Sequence, residues 1–261
     1  MTIRKDIEFI KAMGFNGVRI HQKVEYPRFL YWYDKMGILA WGEMANALDF
    51  SEDYAKKMVN EWQEIIERDY NHPCIIVWVP MNESWGIPKV KDDPQQQNHA
   101  LALYHITKAL DPTRLVVSND GWEQLKTDLC TIHDYAFSSE ILEERYKNVE
   151  NACSAIPWTK KIYVGGFKYS GEPILVSEFG GIALKKSEQE GWGYSGAKDE
   201  EDFIERLKNV VNPLLKSSIV QGFCYTQFTD VMQEINGLLT ENREPKIPID
   251  QINSIVNGSD R

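Results

Sequence analysis

Two glutamates end apolar, strand-like runs. Glu83 closes Cys74-Ile75-Ile76-Val77-Trp78-Val79-Pro80-Met81-Asn82, and Glu178 closes Pro173-Ile174-Leu175-Val176-Ser177. A single glutamate at a strand end is usually a solvated rim charge. Two of them on parallel strands of one barrel would meet at one mouth, because residues at the C-terminal ends of barrel strands gather there. Carboxyl groups about 5 Å apart are what glycoside hydrolysis with retention requires, one as nucleophile and one as proton donor and then acceptor.

The two roles need different surroundings, since one carboxyl must be ionised while the other is protonated. Arg19, at the end of Gly17-Val18-Arg19-Ile20, is placed by chain order to hold Glu178 as a carboxylate. Trp78 and Pro80, one strand-turn below Glu83, would supply an apolar wall that keeps a carboxyl protonated. Asn82 can donate to a sugar hydroxyl whose hydrogen bond strengthens in the transition state. Trp85, Trp122, Tyr135 and Trp192 offer flat faces on which a pyranose could stack, and His21 and His133 follow strands where they could meet hydroxyls. Loop packing explains the tryptophans, and a satisfied core position the histidines, equally well. Glu43 also ends a strand and reads as structural support.

The elements that must position these groups alternate along the chain. Helical spacing over 3–13 precedes a short strand at 17–20. The pattern repeats as helix 27–36 and strand 38–41, and then as a helix capped by Ser51 with the stripe Ala55, Met58, Val59, Trp62, Ile65 and Ile66. The turn Asn71-His72-Pro73 leads into the Glu83 strand, which puts His72 at the opposite, stability face. A helix near 95–110, strands at 115–118 and 131–133, a helix near 138–150, the Glu178 strand, a helix near 199–217 and a strand at 222–228 follow. This βα alternation predicts a parallel sheet covered by helices. About seven strands are legible and a helix comes first, whereas a closed (β/α)₈ barrel has eight strands and begins with one. The expectation is therefore one α/β domain over 1–261, a (β/α)₈ TIM barrel lacking its first strand, with a sheet edge exposed for self-association. Residues 185–202 read as the longest irregular loop, a cover carrying Trp192 and Tyr194.

Composition narrows the partners. A net charge of -10 disfavours nucleic acid, which calls for a basic face. Four scattered cysteines (Cys74, Cys130, Cys153, Cys224) show no CxxC spacing, and the five histidines are isolated, which argues against a metal-dependent barrel hydrolase. No run approaches the roughly 20 apolar residues of a membrane span, and the N-terminal residues lead into an amphipathic helix and not a signal peptide, so the expected location is the cytoplasm.

Asn71-His72-Pro73-x-Ile75-Ile76-x-Trp78-x-x-x-Asn82-Glu83, Ser177-Glu178-Phe179-Gly180 and Gly14-Phe15-Asn16-Gly17-Val18-Arg19 together resemble the catalytic barrel of family 2 of the glycoside hydrolases, which includes β-galactosidases, β-glucuronidases and β-mannosidases. The resemblance runs over essentially the whole chain. It implies Glu83 as the acid/base, Glu178 as the nucleophile and Asn82 as the partner of the sugar 2-hydroxyl. Members usually carry a jelly-roll and an immunoglobulin-like domain before the barrel, and neither is expected here. The Asn-x-Lys element with which β-glucuronidases grip the sugar carboxylate is matched by Ile235-Asn236-Gly237-Leu238-Leu239, which has no lysine, and the magnesium ligands of β-galactosidases by Ala47-Leu48-Asp49. No metal or other cofactor is expected. Tyr225 and Gln227 occupy the neighbourhood of the tryptophan that members place beneath the sugar. The resemblance thus implies a retaining β-glycosidase acting on a neutral β-hexoside, with a β-galactoside favoured. The alternative is a barrel fragment that binds carbohydrate, or is inactive, without upstream domains.

Overall fold

The computed structural model describes residues 3–186 and 190–259. In chain order the elements are α1 (Ile3–Ala12), β1 (Gly17–Arg19), α2 (Pro27–Met36), β2 (Leu39–Glu43), α3 (Glu52–Asp69), β3 (Ile75–Val79), α4 (Pro94–Leu110), β4 (Leu115–Val116) and β5 (Cys130–Asp134). They continue with α5 (Ser139–Arg145), α6 (Val149–Ser154), β6 (Ile174–Gly180), β7 (Ile182–Leu184), β8 (Ser195–Ala197), α7 (Glu200–Lys216), β9 (Val220–Thr226) and α8 (Ile249–Val256). The chain forms two compact units, one of Gly17–His133 with Cys153–Leu175 and the other of the remaining described residues.

The first unit is built on four parallel strands in the order β1-β2-β3-β4. Parallel pairing aligns strand C-termini: Arg19 lies opposite Trp41, Glu43 opposite Val79, and a further bridge joins Asn82 to Asp120. Polar residues that are far apart in sequence thus collect at one end of the sheet. The covering helices follow local rules. Ser51 caps α3 by accepting from the Tyr54 N–H at 3.1 Å, with Glu52 and Asp53 in the first turn, and Met58, Trp62 and Ile66 turn inward. Trp62 meets the ring of Trp78 edge-on at 5.7 Å. Gly42 makes room for that ring, because a Cβ there would lie 2.8 Å from it. Trp78 also donates through Nε1 to Asp111 at 2.9 Å, so it pins the core of this unit and does not form the apolar wall expected beside Glu83. His72 lies in the turn before β3, its Nδ1 2.7 Å from Asp34 Oδ2.

In the second unit, α7 buries Phe203, Leu207, Val210, Val211 and Leu214, the stripe expected from sequence. α1 stops at Gly14, which has φ +90°; the space a Cβ would fill is taken by Asn257 and Asn253, and Asn253 caps the helix by donating to the Ala12 carbonyl at 2.9 Å. Two local expectations are corrected. The helix near 138–150 is two helices, α5 and α6, with a break at buried Tyr146, whose carbonyl accepts from Ser217 Oγ at 2.7 Å. The stretch read as irregular over 185–202 contains β8, which pairs in parallel with β7, and the first residues of α7; Ser187, Glu188 and Gln189 of that stretch lie outside the described residues. α8 carried no recognised signal. A three-residue strand centred on glycine has too few positions to display a period-two pattern. Among the described residues no helix is long and apolar enough to cross a membrane.

Candidate active site

At the C-terminal end of the four-stranded sheet, Arg19 is the centre of a buried polar cluster. Its Nε lies 2.9 Å from Glu43 Oε2 and 2.6 Å from Asp120 Oδ2, and an Nη donates to Asn82 Oδ1 at 2.5 Å. All of these side chains are nearly or wholly buried, and a buried guanidinium survives only when its charge is matched. Asn82 is oriented twice over, by Arg19 at its side-chain oxygen and by Asn46 Oδ1, which accepts from its backbone N–H at 2.9 Å. Its Nδ2 is buried without a hydrogen-bond partner among the described residues, which leaves one donor unspent.

Glu83 follows directly, in the left-handed region at φ +51°, and Ser84 follows it at φ +61°. Consecutive non-glycine residues in this conformation are costly and persist only where surrounding contacts hold them. Those contacts are present: the Glu83 N–H donates to the Asp120 carbonyl at 3.0 Å, the Ser84 N–H to Asn119 Oδ1 at 2.9 Å, and Ser84 Oγ to Glu123 Oε2 at 2.7 Å. The Glu83 carboxyl, partly exposed, is 2.8 Å from Nδ1 of His133, and Nε2 of the same fully buried ring is 3.2 Å from Asp120 Oδ2. Gly121, at φ +96°, lets this ring approach, since a Cβ there would fall 2.6 Å from Nδ1.

Glu178 lies near the end of β6 in the other unit and is buried. Tyr135 donates its hydroxyl to Glu178 Oε2 at 2.5 Å. The ring of Tyr135 stacks on Tyr194, with centroids 3.5 Å apart and planes at 12°, and Trp192 meets Tyr194 edge-on at 5.7 Å. Gly181, at φ +58°, admits this stack, because a Cβ would lie 2.3 Å from Tyr194. Burial, and then the charge of Glu178, push the Tyr135 hydroxyl well above its ordinary range, so it remains a donor. The same neighbour acts on Glu234, whose carboxyl is raised by burial and then by the charge of Glu178.

The other expected site residues divide. His21 is largely exposed, 3.3 Å from an Arg19 Nη and 3.7 Å from Glu43. Trp122 is buried edge-on against His133 at 5.6 Å, so it supports that ring and offers no open sugar platform. Trp85 is 40% exposed and keeps an available face. Tyr225 is buried, its hydroxyl accepts from the Ile182 N–H at 3.3 Å, and its ring fills the space left by Gly180, so it braces β6 against β7 and is not an exposed floor. Glu43, read as support, is the buried partner of Arg19. Asp120 and Glu234 lie outside the expected set, and Tyr194, expected in a covering loop, is found stacked on Tyr135. Asp120 had a readable signal, as a carboxylate just beyond a strand in Ser118-Asn119-Asp120-Gly121. Asp34, His72 and Cys74 also bring potential metal-ligand atoms within 4.8 Å of one another. The Asp34 oxygens are already engaged by His72 and by the Cys74 N–H, which locks the turn into β3.

A family model described as "Glycosyl hydrolases family 2, TIM barrel domain" matches residues 1–256, and the chain belongs to that family. It is 36% identical over 120 residues to a putative β-glucuronidase of Formosa agariphila, covering 44% of this chain and 14% of that protein. It is 32% identical over 133 residues to a β-galactosidase of Vibrio cholerae, covering 46% of this chain and 12% of that protein. The fold is shared with a family 2 β-galacturonidase from Eisenbergiella tayi, at a TM-score of 0.76 and 21% identity over 98% of this chain and 47% of that one. The chain thus spans less than half the length of these proteins.

Proposed function

We propose that this barrel carries out hydrolysis of terminal β-glycosides with retention, with Glu178 as nucleophile and Glu83 as acid/base. The observation that carries the reading is the unlike partnering of the two strand-end carboxyls: Glu178 receives a tyrosine hydroxyl, and Glu83 an imidazole that is itself backed by Asp120. Family membership supports it, as do the relatives named β-galactosidase and β-glucuronidase. In the first step Glu178 attacks the anomeric carbon, the glycosidic C–O bond breaks and Glu83 protonates the departing oxygen. In the second, Glu83 accepts a proton from water, the water oxygen bonds to the anomeric carbon and the Glu178 ester is released. Tyr135 holds the nucleophile in place, and the spare Nδ2 of Asn82, fixed by Arg19, donates to the sugar 2-hydroxyl. Pairing of the two carboxyls at about 5 Å belongs to this proposal.

The substrate proposed is a neutral β-hexoside, with a β-galactoside first, because the stretch 235–239 lacks the lysine that would hold a sugar carboxylate. The test is a screen of nitrophenyl β-glycosides with the product anomer followed by NMR. The β anomer is expected first; an initial α product would exclude retention. Glu178→Ala should lose turnover of all substrates, and azide should restore it as the α-glycosyl azide. The short span of the chain against its relatives motivates a second reading, a barrel that binds sugars but turns them over only with further domains. Sugar binding without turnover in the same screen would favour it.

A further inference from the structure

We propose that Glu234 sets substrate class in this site by excluding glycones that carry a carboxylate, an inference that rests on the glycosidase reading above. After β9 the chain folds back on itself: the Leu238 N–H donates to the Gln227 carbonyl at 3.0 Å, and Val231 and Glu234 exchange backbone hydrogen bonds of 3.0 and 2.9 Å. The Trp192 and Glu234 segments form a parallel bridge, which ties this turn to the aromatic series leading through Tyr194 to Tyr135 and Glu178. Gln227 Nε2 reaches both Asn236 Oδ1 at 2.6 Å and Glu234 Oε2 at 3.4 Å. Asn236 is fully buried, and its Nδ2 has no hydrogen-bond partner among the described residues, so a donor awaits an oxygen beside the Glu234 carboxylate. Through these contacts a glycone seated on Glu178 meets the turn that carries Glu234, and burial, then the charge of Glu178, raise the Glu234 carboxyl in keeping with that placement.

The cations of this segment do not offset that charge. Lys246 is buried, 2.7 Å from Asp230 Oδ1 and donating to the Ile235 carbonyl at 2.7 Å, and Arg243 is 3.3 Å from Asp6. A sugar hydroxymethyl can donate to Glu234 and accept from Asn236, satisfying both. A carboxylate in its place has no proton to donate and is repelled.

The experiment compares p-nitrophenyl β-galactoside with p-nitrophenyl β-galacturonide, which differ at C6 alone, on the whole chain and on Glu234→Gln. The wild-type chain should favour the neutral substrate, and the ratio of kcat/KM values should fall about tenfold in the variant, the scale of one unscreened like-charge contact. An unchanged ratio, or a wild-type preference for the galacturonide, would overturn the assignment. If neither substrate is turned over, the glycosidase reading fails separately. Binding of galactose and galacturonate by saturation-transfer NMR then reads the same preference: loss of galactose selectivity in Glu234→Gln supports the role of Glu234, and equal binding to the wild type overturns it.

Discussion

Tyr135 and Glu178 share a hydrogen bond of 2.5 Å inside one compact unit. The tyrosine is buried and held protonated, so it presents a fixed donor to one carboxylate oxygen. A hydrogen bond to a charged acceptor contributes about 1.5–3 kcal/mol, which corresponds to roughly 10- to 100-fold in rate where it orients a nucleophile. Tyr135→Phe keeps the ring that stacks on Tyr194. We expect kcat/KM to fall by that factor with the thermal midpoint little changed. Full activity in the variant would show that the hydroxyl does not position Glu178.

Glu83→Ala should be selective among leaving groups. Dinitrophenyl glycosides need little protonation, so formation of the glycosyl-enzyme should survive while poor leaving groups lose about 10²- to 10⁴-fold. Equal losses for both would reassign Glu83.

His133 lies 2.8 Å from Glu83 and 3.2 Å from Asp120, so the proposed mechanism makes it a positioning residue for Glu83. His133→Gln should lower kcat more than it raises KM, with a larger loss for poor leaving groups and a shifted acid-base limb in the pH profile. A parallel loss across all leaving groups with the profile unmoved would indicate a purely structural role.

Acid stability should depend on Asp111. Burial pushes its carboxyl up, but hydrogen bonds from Thr113, Trp78 and Arg114 outweigh this and hold it at about 2, below the ordinary 3.8. A depressed carboxyl adds stability above its unfolded value and loses it as pH falls, here between about pH 4 and pH 2, by on the order of 2 kcal/mol. Urea unfolding of Asp111→Asn should show lower stability at pH 7 and a smaller further loss on acidification. An unchanged acid limb would refute the assignment.

Gly181→Ala should destabilise the unit and depress activity together. The position combines a positive φ with a Cβ 2.3 Å from Tyr194, and either feature alone costs about 1 kcal/mol or more. A variant with wild-type melting and kinetics would show that the Tyr135–Tyr194 stack tolerates displacement.

By itself the sequence determined the features that depend on neighbours along the chain. The apolar run Ile75–Val79, the Ser51 cap and the α7 stripe each specify an element within a few residues, and the two glutamates stand out because each interrupts such a run. Tertiary structure decided what those groups touch. Arg19 is paired with Glu43 and Asn82, 24 and 63 positions away, and that outcome hangs on parallel register, where a slip of one residue would turn every side chain to the other face. The same holds for Trp78, which sequence position put beside Glu83 and packing sent to Trp62 and Asp111, and for Glu234, whose relation to Glu178 arises only once the chain after β9 folds back. Local spacing records which face a residue occupies; the partner across that face is set by register and by close packing between elements, which no single stretch of sequence encodes.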